Sequence, residues 1–186
     1  KIKKKFKNLN VLAFEPIQEI TRHIRNLSQK NISVHDVALS NSQGELLFYI
    51  PSRNGVLITG LASLEPRDGP CEKRTVEVKT IDSYEFSSVD LIKIDVEGHE
   101  YNVLDGARDT LARCKPVVLA EIEQRHIQMP IEKVFDVVLD QGYDGFFLVD
   151  GKMTPLENFS FKVNQEPYLD DVTNESYINN FIFVPR

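Results

Sequence analysis

Apolar positions along this chain come in short blocks whose spacing switches between the period of two of a strand and the 3.6 of a helix. Residues 10–15 read as a short buried strand. Pro16 suits the first helical position, and Ile17, Ile20, Ile24 and Leu27 then fall on one helical stripe. Residues 32–39 form the next strand, and a strand–helix–strand unit of this kind closes right-handed with its strands parallel. Ile2, Phe6 and Leu9 lie at helical spacing among lysines, so the first residues read as an amphipathic helix. Residues 44–50 and 74–81 carry β-formers and suggest an antiparallel hairpin or added strands. Between them, residues 51–70 are rich in Gly, Ser, Pro and Asn. A connection of that length in a compact domain is a lid or substrate loop, or else a plain surface loop.

The second half repeats the strand-then-helix rhythm. Residues 89–95 read as a strand and 99–112 as a helix burying Leu104, Ala107 and Leu111. Gly106 inside that helix costs about 1 kcal/mol against alanine, which points to close backbone packing there. Residues 116–122 form a strand, and a helix over 131–141 is stopped by Gly142. Strands at 143–149 and 177–184 close the sheet, with a polar loop between them. The whole reads as one α/β domain spanning residues 1–186.

The block from Val89 to Tyr101 changes this picture from fold to chemistry. An apolar run ends in Asp95, Glu97, Gly98, His99 and Glu100, and the next strand ends in Glu121, Glu123 and His126. Open α/β proteins bind ligands in the crevice beyond the carboxyl ends of parallel strands, so two neighbouring strand ends would share one acidic cleft. Strict alternation puts Lys93 on the same face as Asp95, and Glu121 on the facing strand. A lysine deep in a strand needs a partner, which predicts a Lys93–Glu121 or Lys93–Asp95 ion pair. Glu15 ends the first strand and could accept both hydroxyls of a ribose, or simply stabilise the start of the following helix. Asp36, followed by Val37, could accept an adenine amine while an apolar neighbour covers the ring, or could form an ordinary turn. Asp95, Glu97, His99, Glu121 and His126 are the candidates for a general base. His99-Glu100 is not a zinc-binding helix, because Val103 stands where a second histidine would be required. Asp95 with Glu121 or Glu123 could take Mg²⁺, a weaker alternative to base or ion-pair roles.

Composition and charge narrow the partners. Lys+Arg 22 against Asp+Glu 28 gives a net charge of −6, the opposite of what a phosphate backbone attracts. The basic run from Lys1 to Lys7 reads as a solvated helix face rather than a nucleic-acid arm. Cys71 and Cys114 form neither a disulfide framework nor a metal knuckle, which points to a reducing, cytoplasmic compartment. No apolar run reaches the ~18 residues of a membrane span.

Together these residues resemble the FkbM-type family of S-adenosylmethionine-dependent methyltransferases. The matching pieces are Val11-Leu12-Ala13-Phe14-Glu15-Pro16, Val37-Ala38-Leu39-Ser40 with Gly44, and Leu91 through Glu100. Val103-Leu104-Asp105-Gly106-Ala107, the strand to Glu121, and the closing Asn180–Pro185 extend the match. The Lys-Ile-Asp-Val-Glu-Gly-His-Glu block is the most specific part. The resemblance implies a Rossmann-like class I methyltransferase fold, with a mostly parallel sheet and one antiparallel strand. It implies methyl transfer from S-adenosylmethionine to a hydroxyl of a sugar or polyketide-like metabolite, so the partner is a small-molecule or glycan acceptor. It also implies that Glu15 holds the ribose, Asp36 and Val37 the adenine, and that Asp95 lies near the transferred methyl. The family opens with a strand and a glycine-rich loop of the Asp-x-Gly-Ala-Asn kind. Neither is present before Asn10, so the expectation is that both lie upstream. The alternative is a catalytically degenerate methyltransferase-like binding domain.

Overall fold

In a computed structural model, residues 9–26 and 31–186 are described. The predicted N-terminal helix falls outside them apart from Leu9, as does Leu27. The chain begins with strand β1 (Val11–Phe14), helix α1 (Gln18–Asn26) and strand β2 (Ile32–His35), and β1 and β2 pair in parallel. Glu15 N donates to the His35 carbonyl at 3.1 Å, so Glu15 and Asp36 leave adjacent strand ends together. The strand expected over 32–39 is interrupted. Asp36 and Val37 turn out of it, and β3 (Ala38–Leu39) pairs instead with residues 78 and 79 of a later strand.

The predicted hairpin forms as β4 (Gly44–Arg53) against β6 (Cys71–Lys79), antiparallel over its length. Short β5 (Val56–Leu57) folds back on β4, and a bridge joins Tyr49 to Ser63. Residues 51–70 are therefore a structured strap. Ile17, Phe48 and Ile50 make a small core under it, with Leu57 and Leu64 packed against them.

The larger sheet has the order β10-β9-β11-β8-β7, built from β7 (Leu91–Ile94), β8 (Val117–Glu121), β9 (Tyr143–Val149), β10 (Lys152–Pro155) and β11 (Asn180–Pro185). Only β7–β8 is a parallel pairing; β11 runs antiparallel to both β8 and β9, and β10 is the hairpin return of β9. This corrects the expectation of one mostly parallel sheet, because the described strands form three groups, the parallel pair β1–β2 and two sheets of mixed pairing. The tight β9–β10 turn through Asp150 and Gly151, both at positive φ, supplies one of the antiparallel neighbours that the polar-loop reading missed.

Strand β7 stands at one end of this strand order. Among the described residues it is an edge, with Leu91 59% exposed. The alternation holds nonetheless. Leu91, Lys93 and Asp95 face outward, while Ile94 is buried with Val118, Ala120, Phe181 and Phe183 in the main core. The helix predicted over 99–112 breaks into α2 (Glu100–Asp105) and α3 (Arg108–Cys114) at Gly106. Asp82 caps the second piece, accepting from Thr110 N at 2.8 Å and Asp109 N at 3.1 Å. Helix α4 (Glu132–Leu139) then packs Val134 and Val138 inward, and a single turn, α5 (Phe161–Asn164), precedes β11.

Gly106 does mark a close approach. A Cβ there would stand 2.1 Å from the Ser40 carbonyl oxygen, which is backbone and cannot rotate away. Gly106→Ala is therefore expected to destabilise the protein by about 1–3 kcal/mol, the usual cost of overpacking. Chemical denaturation checks this, and an unchanged midpoint would contradict it.

Candidate functional site: an acidic cleft at two strand ends

Strands β7 and β8 run parallel in register, Ile94 opposite Ala120, so their chains emerge on the same edge of the sheet. After β7 the backbone enters the left-handed region twice, at Glu97 (φ 56°) and Gly98 (φ 102°). A Cβ on Gly98 would meet the His126 carbonyl oxygen at 2.5 Å, so the loops after β7 and β8 touch through bare backbone. The second loop is held from behind by Gln165, which is fully buried. Its Nε2 donates to the carbonyls of Ile122 (2.9 Å) and Ile178 (2.8 Å), and its Oε1 accepts from Gln124 N (2.9 Å).

Asp95, Glu97, Gly98, Glu100, Glu121, Glu123 and His126 surround one small cavity of about 10 Å³. The sequence-predicted Asp95, Glu97, Glu121 and His126 are thus brought together. Lys93 Nζ bridges the mouth, 3.6 Å from Asp95 and 3.8 Å from Glu121. Both predicted ion pairs form, yet Lys93 is 41% exposed because β7 is an edge strand, so this is a surface-type contact of less than about 1 kcal/mol.

Deeper in, burial pushes the Glu97 carboxyl up to about 7, helped by Glu123 and Asp95 and opposed by Arg67. Burial likewise raises Glu100 to about 7, against the Gly98 N–H that its Oε1 accepts at 2.9 Å. Burial also raises Glu121, with Asp95 adding to it. Burial would raise Glu123 too, but its hydrogen bonds from Arg125 and Tyr177 prevail and hold it below the ordinary range. His126 is driven down to about 4 by burial and by Arg125 and Arg67, so its ring is neutral near pH 7. Arg67 Nη1 lies 2.7 Å from His126 Nδ1, and a guanidinium can only donate. Nδ1 is therefore the acceptor and the ring proton sits on Nε2, facing Glu97 Oε2 at 3.3 Å and Glu123 Oε1 at 3.9 Å.

Predicted base His99 is buried but does not face this cavity. Its Nδ1 meets Glu65 Oε1 at 2.6 Å and its Nε2 meets Ser40 Oγ at 2.9 Å, so both ring nitrogens are engaged. With Ser63 Oγ donating to the Val96 carbonyl (3.2 Å) and Arg67 Nη2 to the Glu97 carbonyl (2.7 Å), His99 fastens the 51–70 strap across the end of β7. Glu65, Arg67, Arg125, Tyr177 and Gln165 carry no signal of this in the local sequence. Glu100 does carry one, because it shares the inward helical face of Val103, Leu104 and Ala107.

The predicted cofactor residues stand apart from this cavity, at the ends of β1 and β2. Glu15 Oε1 accepts from Ile17 N at 2.7 Å, and burial raises its carboxyl against that bond. Its other oxygen has no protein partner among the described residues. Asp36 is exposed and paired with Arg25 at 2.9 Å. Hydrogen bonds from Thr21 and then Arg25 hold its carboxyl low. Val37 is buried. No group of three or more His, Cys, Asp or Glu among the described residues is arranged to hold a metal ion. No helix among them is long and apolar enough to cross a membrane.

Parallel strand ends carrying acids, with a tight turn into a helix, mark the place where open α/β proteins bind their ligands. Comparison with family profiles narrows this to one class. Residues 2–144 match the "Methyltransferase FkbM domain", and the chain belongs to that family. It is also similar in fold to the crystal structure of Methyltransferase FkbM from Methylobacillus flagellatus KT, with a TM-score of 0.56 and 15% sequence identity. That likeness covers 94% of this chain and 36% of the other, so the chain spans about a third of that protein's length. A comparison with curated proteins gives no match.

The raised glutamates have a stability consequence. Between the ordinary Glu value of 4.5 and about 7, the folded chain holds a proton on Glu97 that the unfolded chain has released. This contribution to stability is complete below pH 4.5 and is lost as pH rises through 7. Glu97→Gln removes that loss, so its melting temperature relative to wild type is expected to rise between pH 5 and pH 8. A pH-independent difference would contradict burial of this carboxyl.

Proposed function

We propose that this domain is part of an S-adenosylmethionine-dependent O-methyltransferase whose acceptor is a hydroxyl of a sugar or polyketide-like metabolite. The observation that carries this reading is the convergence of Asp95, Glu97 and Glu121 on one cleft at the ends of β7 and β8, in a chain of the FkbM family. In this reading β1–β2 and β7–β8 are the two flanks of one Rossmann-like sheet. A further parallel strand with its glycine-rich loop would lie between them. The exposed Leu12 on β1 and Leu91 on β7 support it, since both are large apolar residues on strands with an edge unpaired among the described residues.

The residues present fit the cofactor in part. A carboxylate such as Glu15, with one oxygen uncommitted, suits the two hydroxyls of a ribose. Asp36 would give up Arg25, a cheap exchange for an exposed pair, and Val37 would underlie the adenine. When bound, S-adenosylmethionine supplies an electrophilic methyl group on a sulfonium. Asp95 and Glu121 would orient the acceptor hydroxyl at the mouth and polarise its O–H, with Glu97 behind them, since alcohols attack poorly until their proton is drawn off. His99 would act by holding the strap as a lid, not by touching the acceptor. Solution chemistry in a reducing cytoplasm is consistent with two free cysteines.

One observation favours a second reading, a methyltransferase-like domain that binds without catalysis. The cavity at the strand ends holds about 10 Å³, against the roughly 300–1,000 Å³ of ordinary ligand pockets. Calorimetry of the full natural chain with S-adenosylhomocysteine separates the two. The methyltransferase reading expects saturable binding, weakened about tenfold or more by Glu15→Ala, the cost of a charge-assisted hydrogen bond. Absence of binding, or an indifferent Glu15→Ala, would overturn it.

A further inference from the structure

Three polar atoms facing the acidic cavity have no hydrogen-bond partner among the described residues. They are Glu97 Oε2, Glu100 Oε2 and His126 Nε2. Glu100 is 2% exposed. Leaving three such groups unpaired would cost about 1–3 kcal/mol each, so the chemistry of the lining says what belongs between them. The His126 tautomer fixed by Arg67 makes Nε2–H a donor, while both carboxylate oxygens accept. An ammonium group offers no acceptor to Nε2–H, and a bare metal ion would be repelled by it. An sp³ oxygen does both jobs. A volume of about 10 Å³ admits a single water with its two to four polar partners, and is too small for the carbon skeleton of an alcohol.

We infer that the cavity holds one water that accepts from His126 Nε2–H, donates to Glu97 and Glu100, and carries a proton from the cleft mouth to Glu100 Oε2. This rests on the O-methyltransferase reading only for the origin of the proton. As the acceptor's hydroxyl oxygen forms its new bond to the methyl carbon, the carbon–sulfur bond breaks with its electron pair going to the sulfonium sulfur, which leaves as a neutral thioether. The hydroxyl proton passes to the water oxygen, and the water gives one of its own to Glu100. The water is regenerated, and Glu100 ends as a neutral carboxylic acid that later releases the proton to solvent. Glu100 suits the task better than Glu97. Both carboxyls are raised to about 7, but Glu97 lies 3.6 Å from Arg67 and 3.3 Å from His126, so a proton transferred to it would sit beside a cation. Glu100 receives backbone N–H and no cation. The other charged groups around the cavity divide in the same sense. Asp95 at the end of β7 and Glu121 and Glu123 after β8 disfavour a second buried anion, while Arg125 is tied to Glu123 and Lys93 stays at the mouth. Tyr177 also spends its hydroxyl on Glu123.

Infrared titration of the full chain, with neither cofactor nor acceptor added, tests this apart from the methyltransferase reading. A protonated-carboxyl band is expected to grow as the pH falls through about 7, to lose part of its intensity in Glu100→Gln, and to lose the rest only when Glu97→Gln is added. A band lost in Glu97→Gln and kept in Glu100→Gln would overturn the assignment, as would no band at all. Should Glu100→Gln fail to fold, the carboxyl-carbon resonances of ¹³C-glutamate-labelled wild type decide. One that titrates near 7 and lies beside the Gly98 amide supports the proposal, and its absence refutes it. Once an acceptor is in hand, Glu100→Gln should lower kcat by about 100-fold or more and remove the acid limb of its pH profile, with KM little changed. An unaltered profile would leave Glu100 a structural residue and end the proposal.

Discussion

Everything at the candidate site depends on one contact between two stretches of bare backbone. Gly98, after β7, lies so near the His126 carbonyl, after β8, that no side chain fits between them. The two parallel strands bring their ends to the same edge, but it is this contact, with Glu97 and Gly98 both at positive φ, that turns the carboxylates inward instead of letting them splay into solvent. Gln165 supports it from below by tying the β8 exit to β11's approach. A site assembled from backbone and one buried amide is rigid, as a constellation of like charges must be if it is to persist.

The electrostatics follow from that rigidity. Carboxyls held out of water and near one another cannot all ionise cheaply. The chain divides the burden: Glu123 keeps its charge through Arg125 and Tyr177, Glu97 is steadied by Arg67, and Glu100 has only amide hydrogens. The strap matters for this reason. Arg67 sets the His126 tautomer and Glu65 anchors through His99, so the segment between β5 and β6 takes part in the charge balance of a site formed by strands far from it in sequence.

Much of this was legible along the chain, and the reasons are local. The alternation in 91–95 and 117–123 placed Lys93, Asp95 and Glu121 correctly because a strand's period of two survives whatever surrounds it. Gly106 correctly signalled close packing, though it divides the helix instead of sitting within it. The neighbours of β7 were not legible, since strand order comes from tertiary pairing that no local pattern records. Nor were Glu65 and Arg67, whose partners lie 34 and 59 residues away. Glu100 was grouped with the acids after β7 but not among the candidate bases, although its register with Val103 and Ala107 already placed it on the buried face.

The account's central claim is geometric: the acids ending β1, β2 and β7 serve a single bound nucleoside sulfonium and its acceptor. A crystal structure of the full natural chain with S-adenosylhomocysteine tests it most directly. The ribose should rest on Glu15, the adenine between Asp36 and Val37, and the sulfur toward Asp95. A nucleoside bound elsewhere, or one whose sulfur points away from the cleft between β7 and β8, would contradict it.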